Sequence, residues 1–239
     1  TLMSGGGATD IDGLSDGHYN ATSLSIGLGT NALGSEDVTS ARYAVAVGYQ
    51  ASQYSTTGLN NTSVGYQALK YNTTGANNTA TGYHTLYTNT TGGSNTASGY
   101  HALKFNTTGY ANTGYGIQAL YSNTTGFQNT AVGSSSMANN TTGTENTAVG
   151  YIALLTNTTG TQNTATGYAA LRLNTTGWYN TATGHNALYN NATGNKNTAT
   201  GQGALFGNTT GNENTAVGYI ALLTNTTGGM NTAYGFQAL

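Results

Sequence analysis

The chain has 239 residues, 5% of them charged, with 36 Gly, 18 Tyr, no Pro, no Cys and a formal net charge of −2. A near-neutral balance excludes the basic face that nucleic acid demands. The absence of Cys excludes disulfide staples and thiolate metal sites. No apolar run of about 18 residues is present, so no membrane span is read.

Residues 1–43 stand apart as an irregular N-terminal joint or cap with one strand-like coil. The opening is Gly-rich and holds Asp10, Asp12 and Asp16. Counted from Asp10, the sixth and twelfth positions of a calcium loop are Ser15 and Ala21 instead of Gly and Glu, so the acids read as turn and cap residues. Ser23–Gly27 is the first strand-like alternation, and Asn31–Leu33 resembles the xAL of later coils. Gly27 and Gly48 lie 21 apart, which predicts a looped-out insertion around Gly34–Thr39.

From Ala44 to Leu239 one sentence of seventeen residues repeats without insertion or deletion. Its type copy is Asn146–Gln162, NTAVGYIALLTNTTGTQ. We number its positions as slots 1 to 17, so Leu154 is slot 9 and Gly160 is slot 15. A period this strict predicts a solenoid that grows by adding coils. Slots 1–6 are β-branched and aromatic with alternation and predict a strand; slots 8–11 predict a second short strand. Thr-Thr-Gly at slots 13–15 predicts a turn whose Gly takes φ > 0. Helix is excluded by the wrong apolar spacing and the recurrent Gly. The chain begins at Thr1 without a signal-peptide pattern and stops part-way through a repeat, so both ends read as cuts in a longer polypeptide.

Slot chemistry predicts orientation. Slot 9 is Leu from Leu69 to Leu239, with Met137 the exception, and reads as core. Slot 3 is nearly always Ala and slot 5 always Gly, which predicts close approach by an opposite wall or a neighbouring subunit. Charges inside the repeats fall in slot 10 (Lys70, Lys104, Arg172) and slot 17 (Glu145, Lys196, Glu213) and read as facing water. Stacked coils place equal slots about 4.8 Å apart, giving a rod about 58 Å long for twelve coils. Asn at slot 1 and at slot 12 (Asn72, Asn89, Asn106, Asn123, Asn157, Asn174, Asn208, Asn225) then forms amide ladders. Tyr at slot 6 (Tyr66, Tyr83, Tyr100, Tyr151, Tyr168, Tyr219) stacks likewise. Each coil offers its interior about one Leu, one Ala and one β-branched residue. Such thin burial barely offsets the entropy of ordering a coil. A homotrimer packed through the Gly/Ala face is the expected remedy.

Val45-Ala46-Val47-Gly48 resembles the Asn-Ser-Val-Ala-Ile-Gly signature of YadA-type trimeric adhesin heads, which are left-handed parallel β-rolls. The sentence NTAVGYxALxxNTTGxxN resembles the repeat of bacteriophage tail-fibre proteins, notably marine and cyanobacterial ones. There it often precedes an intramolecular chaperone domain that trims itself off after trimerisation; no such domain is visible here. The lead-in Asp12–Gly27 also resembles segments that precede these repeats, so the likeness spans roughly Asn20 to Leu239. The period is longer than in the adhesin heads, so inside and outside are not copied from them. The resemblance implies an all-β, left-handed parallel β-solenoid, homotrimeric, in the virion. Other tail or baseplate proteins would adjoin its N-terminal side, and a host surface glycan or protein would be its target. The passenger region of a bacterial trimeric surface adhesin is the alternative.

Site readings are sparse. Asn-Thr-Thr at slots 12–14 is formally an N-glycosylation sequon, but glycans on successive coils would collide, which leaves a ladder and a turn. Thr columns suggest an ice-binding solenoid as a third function, against which the Thr pair adjoins a Gly turn. His84 and His101 share slot 7 on successive coils and read as surface histidines, so no metal is expected. No cofactor and no catalytic group is read: neither a nucleophile–base set nor a carboxylate pair recurs. Tyr110, Phe127, Trp178 and Tyr179, in the variable slots 16 and 17, are the candidate surface contacts.

Overall fold

The computed structural model describes residues 17–20, 24–35 and 42–239, with side chains for the last two spans. The readings on Asp10, Asp12 and Asp16 lie outside the described residues. Strand β1 (Gly17–Asn20) pairs antiparallel with β2 (Ser25–Leu28) and covers the first edge of the stack. From β2 onward every pairing is parallel and joins neighbours in the chain: β3 (Val45–Val47), β4 (Thr62–Val64), and so on each seventeen residues to β14 (Thr232–Tyr234). The described residues form a parallel β-solenoid of about twelve turns, without helix.

Register corrects the first coil. Gly27 pairs with Ala46, and Gly29 (φ 119°) lies against Gly48 (φ 130°), so Gly29 is the true equivalent of Gly48. The first turn therefore exceeds the others by two residues, fewer than the Gly27–Gly48 interval implied. Part of the expected insertion, residues 36–41, lies outside the described residues.

Each coil has one strand, at slots 2–4, and the second strand expected at slots 8–11 is absent. Left-handed backbone replaces it: slots 7, 9 and 17 have φ near +55°, as at Ile152 (50°), Leu154 (51°) and Gln162 (57°). Inter-coil bonding continues regardless. Leu154 N–H donates to Ala170 O at 2.9 Å, and Thr156 N–H to Arg172 O at 3.0 Å. The reversal at each left-handed residue turns the peptide groups along the stack, so the ladder survives without extended chain. For Leu this conformation is strained, and the strain is offset by complete burial, the inter-coil bond to Ala170 and a bond within the coil from Asn157 N–H to the Leu154 carbonyl.

The interior is narrower and more polar than expected. It holds Ala at slot 3, Ala at slot 8, Leu at slot 9 and the Asn of slots 1 and 12, nearly all fully buried. No β-branched residue of the strand points inward; slots 2 and 4 face out. In coil 95–111, Asn95 Nδ2 and Asn106 Nδ2 both donate to Gly109 O, each at 2.9 Å. Across coils, Asn106 Nδ2 donates to Asn89 Oδ1 at 2.7 Å, and Asn95 Nδ2 to Asn78 Oδ1 at 3.1 Å. Two amide columns thus close each coil from Asn61 onward and tie it to the next.

Glycine is required for reasons that one coil does not reveal. At slot 15 no φ lies in the left-handed region; a Cβ on Gly109 would instead sit 2.3 Å from Asn106 Oδ1 and 2.4 Å from Gly126 O. At slot 5 Gly150 has φ 137°, and its Cβ would meet Gly167 O at 2.4 Å. Slot 3 faces the core: at Gly114 a Cβ would touch Leu103 Cδ1 at 3.4 Å. The Ala of slot 3 is thus buried within its own chain, and the Gly of slot 5 packs closely against the Gly of the next coil.

Candidate functional site

Three outward regions carry side chains able to recognise something. The first is a stripe at slots 4 and 6, two positions apart and both outward. Tyr49, Tyr66, Tyr83 and Tyr100 stack with centroids 5.1–5.3 Å apart, and Tyr151, Tyr168 and His185 continue the column at 5.6 and 4.9 Å. Slot 4 adds exposed Val64, Tyr115 and Val149, and slot 6 adds exposed Ile117. The expected Tyr stacking is present, broken at Ile117, Ser134 and Gln202.

The second region lies at slots 7, 10 and 11, and it corrects two expectations. The slot 10 cations do not stand in water. Lys70 is only 9% exposed, with its ammonium 5.2 Å from the Tyr71 ring and 6.0 Å from those of Tyr54 and Tyr87. Lys104 lies over Phe105 and Tyr121, and Arg172 lies over Tyr189 and donates to its hydroxyl. A long aliphatic stem and a ring face bury well together while the charge keeps an attractive partner. Nor are His84 and His101 plain surface groups. Their rings stack at 5.4 Å, and His84 Nδ1 and His101 Nε2 are buried without hydrogen-bond partners.

Gln67 Nε2 donates to Gln50 Oε1 (2.6 Å), and Gln67 Oε1 accepts from His84 Nε2 (2.7 Å), so that tautomer leaves Nδ1 bare. Burial first, then Lys104, His101 and Lys70, lowers the His84 pKa from its usual 6.5 to about 4. Burial and Lys104 lower His101 as well. A hydrogen bond with Tyr71, then burial, raises Tyr87 to about 12. The folded state thus resists protonating His84, while the unfolded chain takes the proton near pH 6.5. Stability is expected to be flat above that pH and to fall as pH drops toward about 4. Urea midpoints at pH 7 and pH 5 check this: His84→Gln, the residue native to slot 7 at Gln67, should lose part of the acid-side decline. An unchanged decline would reject the assignment.

The third region is slots 16 and 17. Tyr110 and Phe127 stack in parallel at 4.8 Å, with Tyr110 exposed and Phe127 half-buried. Three coils further on, Trp178 meets Tyr179 edge-on at 5.1 Å. The four candidates fall into these two pairs, which Thr144 and Thr161 separate along slot 16. Slot 17 charges are exposed as expected: Glu145 accepts from Gln162 Nε2, and Lys196 pairs with Glu213 at 3.2 Å.

Of the ladder residues, Asn72, Asn89, Asn106, Asn123, Asn157, Asn174 and Asn208 are buried, and Asn225 is half-buried. Asn140 and Asn191 complete the column, and the repeat register alone would have found them. The buried amides of this column, bonded through Nδ2, are no glycan acceptors in the folded coil. Slot 13 hydroxyls are committed too, as Thr73 Oγ1 donates to Thr90 O at 3.1 Å. Among the described residues no three His, Cys, Asp or Glu side chains are grouped to hold a metal ion, and no helix is long and apolar enough to cross a membrane.

No family model matches the chain, and comparison with curated proteins and with solved structures likewise returns no match.

Proposed function

We propose that the chain is a structural segment of a homotrimeric bacteriophage tail fibre. It is a stiff, non-enzymatic shaft that positions, and contributes to, attachment to a host surface. The resemblance of the repeat to tail-fibre sequences motivates the virion assignment. The observation that carries the trimer is the outward stripe of slots 4 and 6. It runs most of the length of a rod about 58 Å long, and its tyrosines, valines and Ile117 stay exposed, Tyr115 by 62% and Tyr151 by 52%. Monomers rarely leave apolar patches larger than a few hundred Å² in contact with water. Two further copies, laid parallel against the stripe with equal slots in register, cover it by symmetry. Tail or baseplate proteins would adjoin the N-terminal side.

Native mass spectrometry tests this. The parent is expected as a trimer at micromolar concentration, and Tyr83→Glu with Tyr100→Glu as a monomer that keeps its solenoid circular dichroism. A parent that is monomeric and stable on dilution sinks the reading. A bacterial trimeric surface adhesin shares the trimer and differs in carrier. Antibody labelling of virions against whole bacteria separates the two.

A further inference from the structure

Trp178 is followed along slot 16 by Asn195, Asn212 and Gly229, so a large ring stands at the head of a row of small residues. The step leaves a groove of about 380 Å³ lined by Trp178, Asn195, Lys196, Asn212, Glu213 and Met230. That volume falls within the roughly 300–1,000 Å³ of small-molecule sites. Its polar groups are directed. Asn195 Oδ1 accepts from Trp178 N–H at 2.9 Å, and Asn212 Oδ1 accepts from Asn195 N–H at 2.8 Å. Those bonds orient both amides and leave both Nδ2 groups without a protein acceptor among the described residues. Lys196 Nζ stands 5.5 Å from the Trp178 ring centre and 3.2 Å from Glu213 Oε1, with both charged side chains about half exposed.

We propose that this groove binds a neutral hexopyranose saccharide. A pyranose has an apolar C–H face and a rim of hydroxyls that both donate and accept. The indole takes the first. The Asn195 and Asn212 amides, the Lys196 ammonium and the Glu213 carboxylate take the second, with donors and an acceptor both supplied. Lys196 and Glu213 cancel in charge, so an anionic sugar gains nothing from the groove as a whole. An apolar peptide would use the ring and leave the amides unsatisfied. On binding, Lys196 gives up the indole face and donates to a hydroxyl.

Trp178 is the only tryptophan of the chain, so indole fluorescence reports on this groove alone. The probes are maltotriose, mannotriose, galactotriose and chitotriose, with trigalacturonate as the anionic control. At least one neutral probe is expected to shift the emission saturably, with a dissociation constant on the order of 1 mM. By calorimetry, Trp178→Ala should abolish that binding, and Glu213→Gln should weaken it several-fold. Trp178 is 37% exposed and gives up contacts with Tyr179 and Lys196, so Trp178→Ala should melt somewhat lower yet keep the parent's circular dichroism at the titration temperature, while the Glu213→Gln melt should overlay the parent's. Flat titrations with all four neutral probes to about ten times that concentration overturn the proposal. So does binding that survives Trp178→Ala, or binding confined to trigalacturonate and suppressed by salt. The proposal extends the fibre reading with a ligand class and is tested apart from it. A monomer that binds sugar refutes the trimer alone, and a trimer that does not bind refutes the groove alone.

Discussion

Gly150→Ala is expected to split the rod into two independently melting halves. Gly150 has φ 137°, where a side chain adds about 1–3 kcal/mol of backbone strain, and a Cβ would lie 2.4 Å from Gly167 O and 2.7 Å from Gly167 C. Neither atom belongs to a flexible side chain, so the coils themselves must separate, and overpacking of this kind adds about 1–3 kcal/mol more. In a stack, stability is a sum of coil terms and nearest-neighbour terms. A defect at one interface therefore uncouples the blocks on either side. Denaturant melts followed by circular dichroism should show one transition for the parent and two, at lower midpoints, for Gly150→Ala. Thr144→Ala, at variable slot 16, should stay within about 0.5 kcal/mol of the parent. A single Gly150→Ala transition at the parent midpoint would contradict the packing described here.

Asn123→Leu is the second large effect. Asn123 Nδ2 donates to Asn106 Oδ1 at 2.8 Å and to Gly126 O at 3.0 Å, and its Oδ1 accepts from Asn140 Nδ2 at 2.8 Å. Leucine keeps the branching of the side chain, adds bulk and removes all three bonds. Gly126 O keeps Asn112 Nδ2 at 2.8 Å, but Asn106 Oδ1 and one Asn140 donor direction lose their partners inside a closed wall. Each orphaned buried group costs about 1–3 kcal/mol. The exposed pair Asn60–Asn77, bonded at 3.1 Å across the same coil spacing, is the control. Asn77→Ala should shift the urea midpoint little, because water replaces the lost partner. Should Asn123→Leu prove as stable as the parent, the ladder is a spacer and the small apolar core holds the coil alone.

The two substitutions also separate two ways in which a thin coil is stabilised. A Leu and two Ala per coil bury little apolar area, and that shortage suggested help from other subunits. The structure supplies much of the help within one chain, through two amide columns converging on the slot 15 carbonyl. The trimer proposal consequently rests on the exposed aromatic stripe. The Ala and Gly of slots 3 and 5 are already engaged by their own chain.

Several features were legible in the sequence because they follow from identity at a fixed period. Stacking equal slots puts like on like, so a column of Leu has to be interior and a column of Asn finds its own partners. The solenoid, the Leu154 column, the Asn106 and Asn123 ladder, the Tyr66–Tyr100 stack and the exposed charges of slot 17 all came from that argument. Features set by what the next coil presents were not legible. Nothing local marks Leu154 for φ 51°; the conformation is held by the carbonyl of Ala170, in the next turn of the stack. Gly109 looks like a residue for a left-handed turn, yet its role is to clear Asn106 and Gly126. Lys70 looks solvated until Tyr54, Tyr71 and Tyr87 are found around it. The Trp178 groove exists because three successive coils carry small residues at slot 16, a contrast that has no meaning within a single repeat. Sequence by itself determined the period, the axis and the interior column. Tertiary structure alone decided backbone sign, the use of each glycine and the outer relief, because those depend on atoms that only stacking brings within reach.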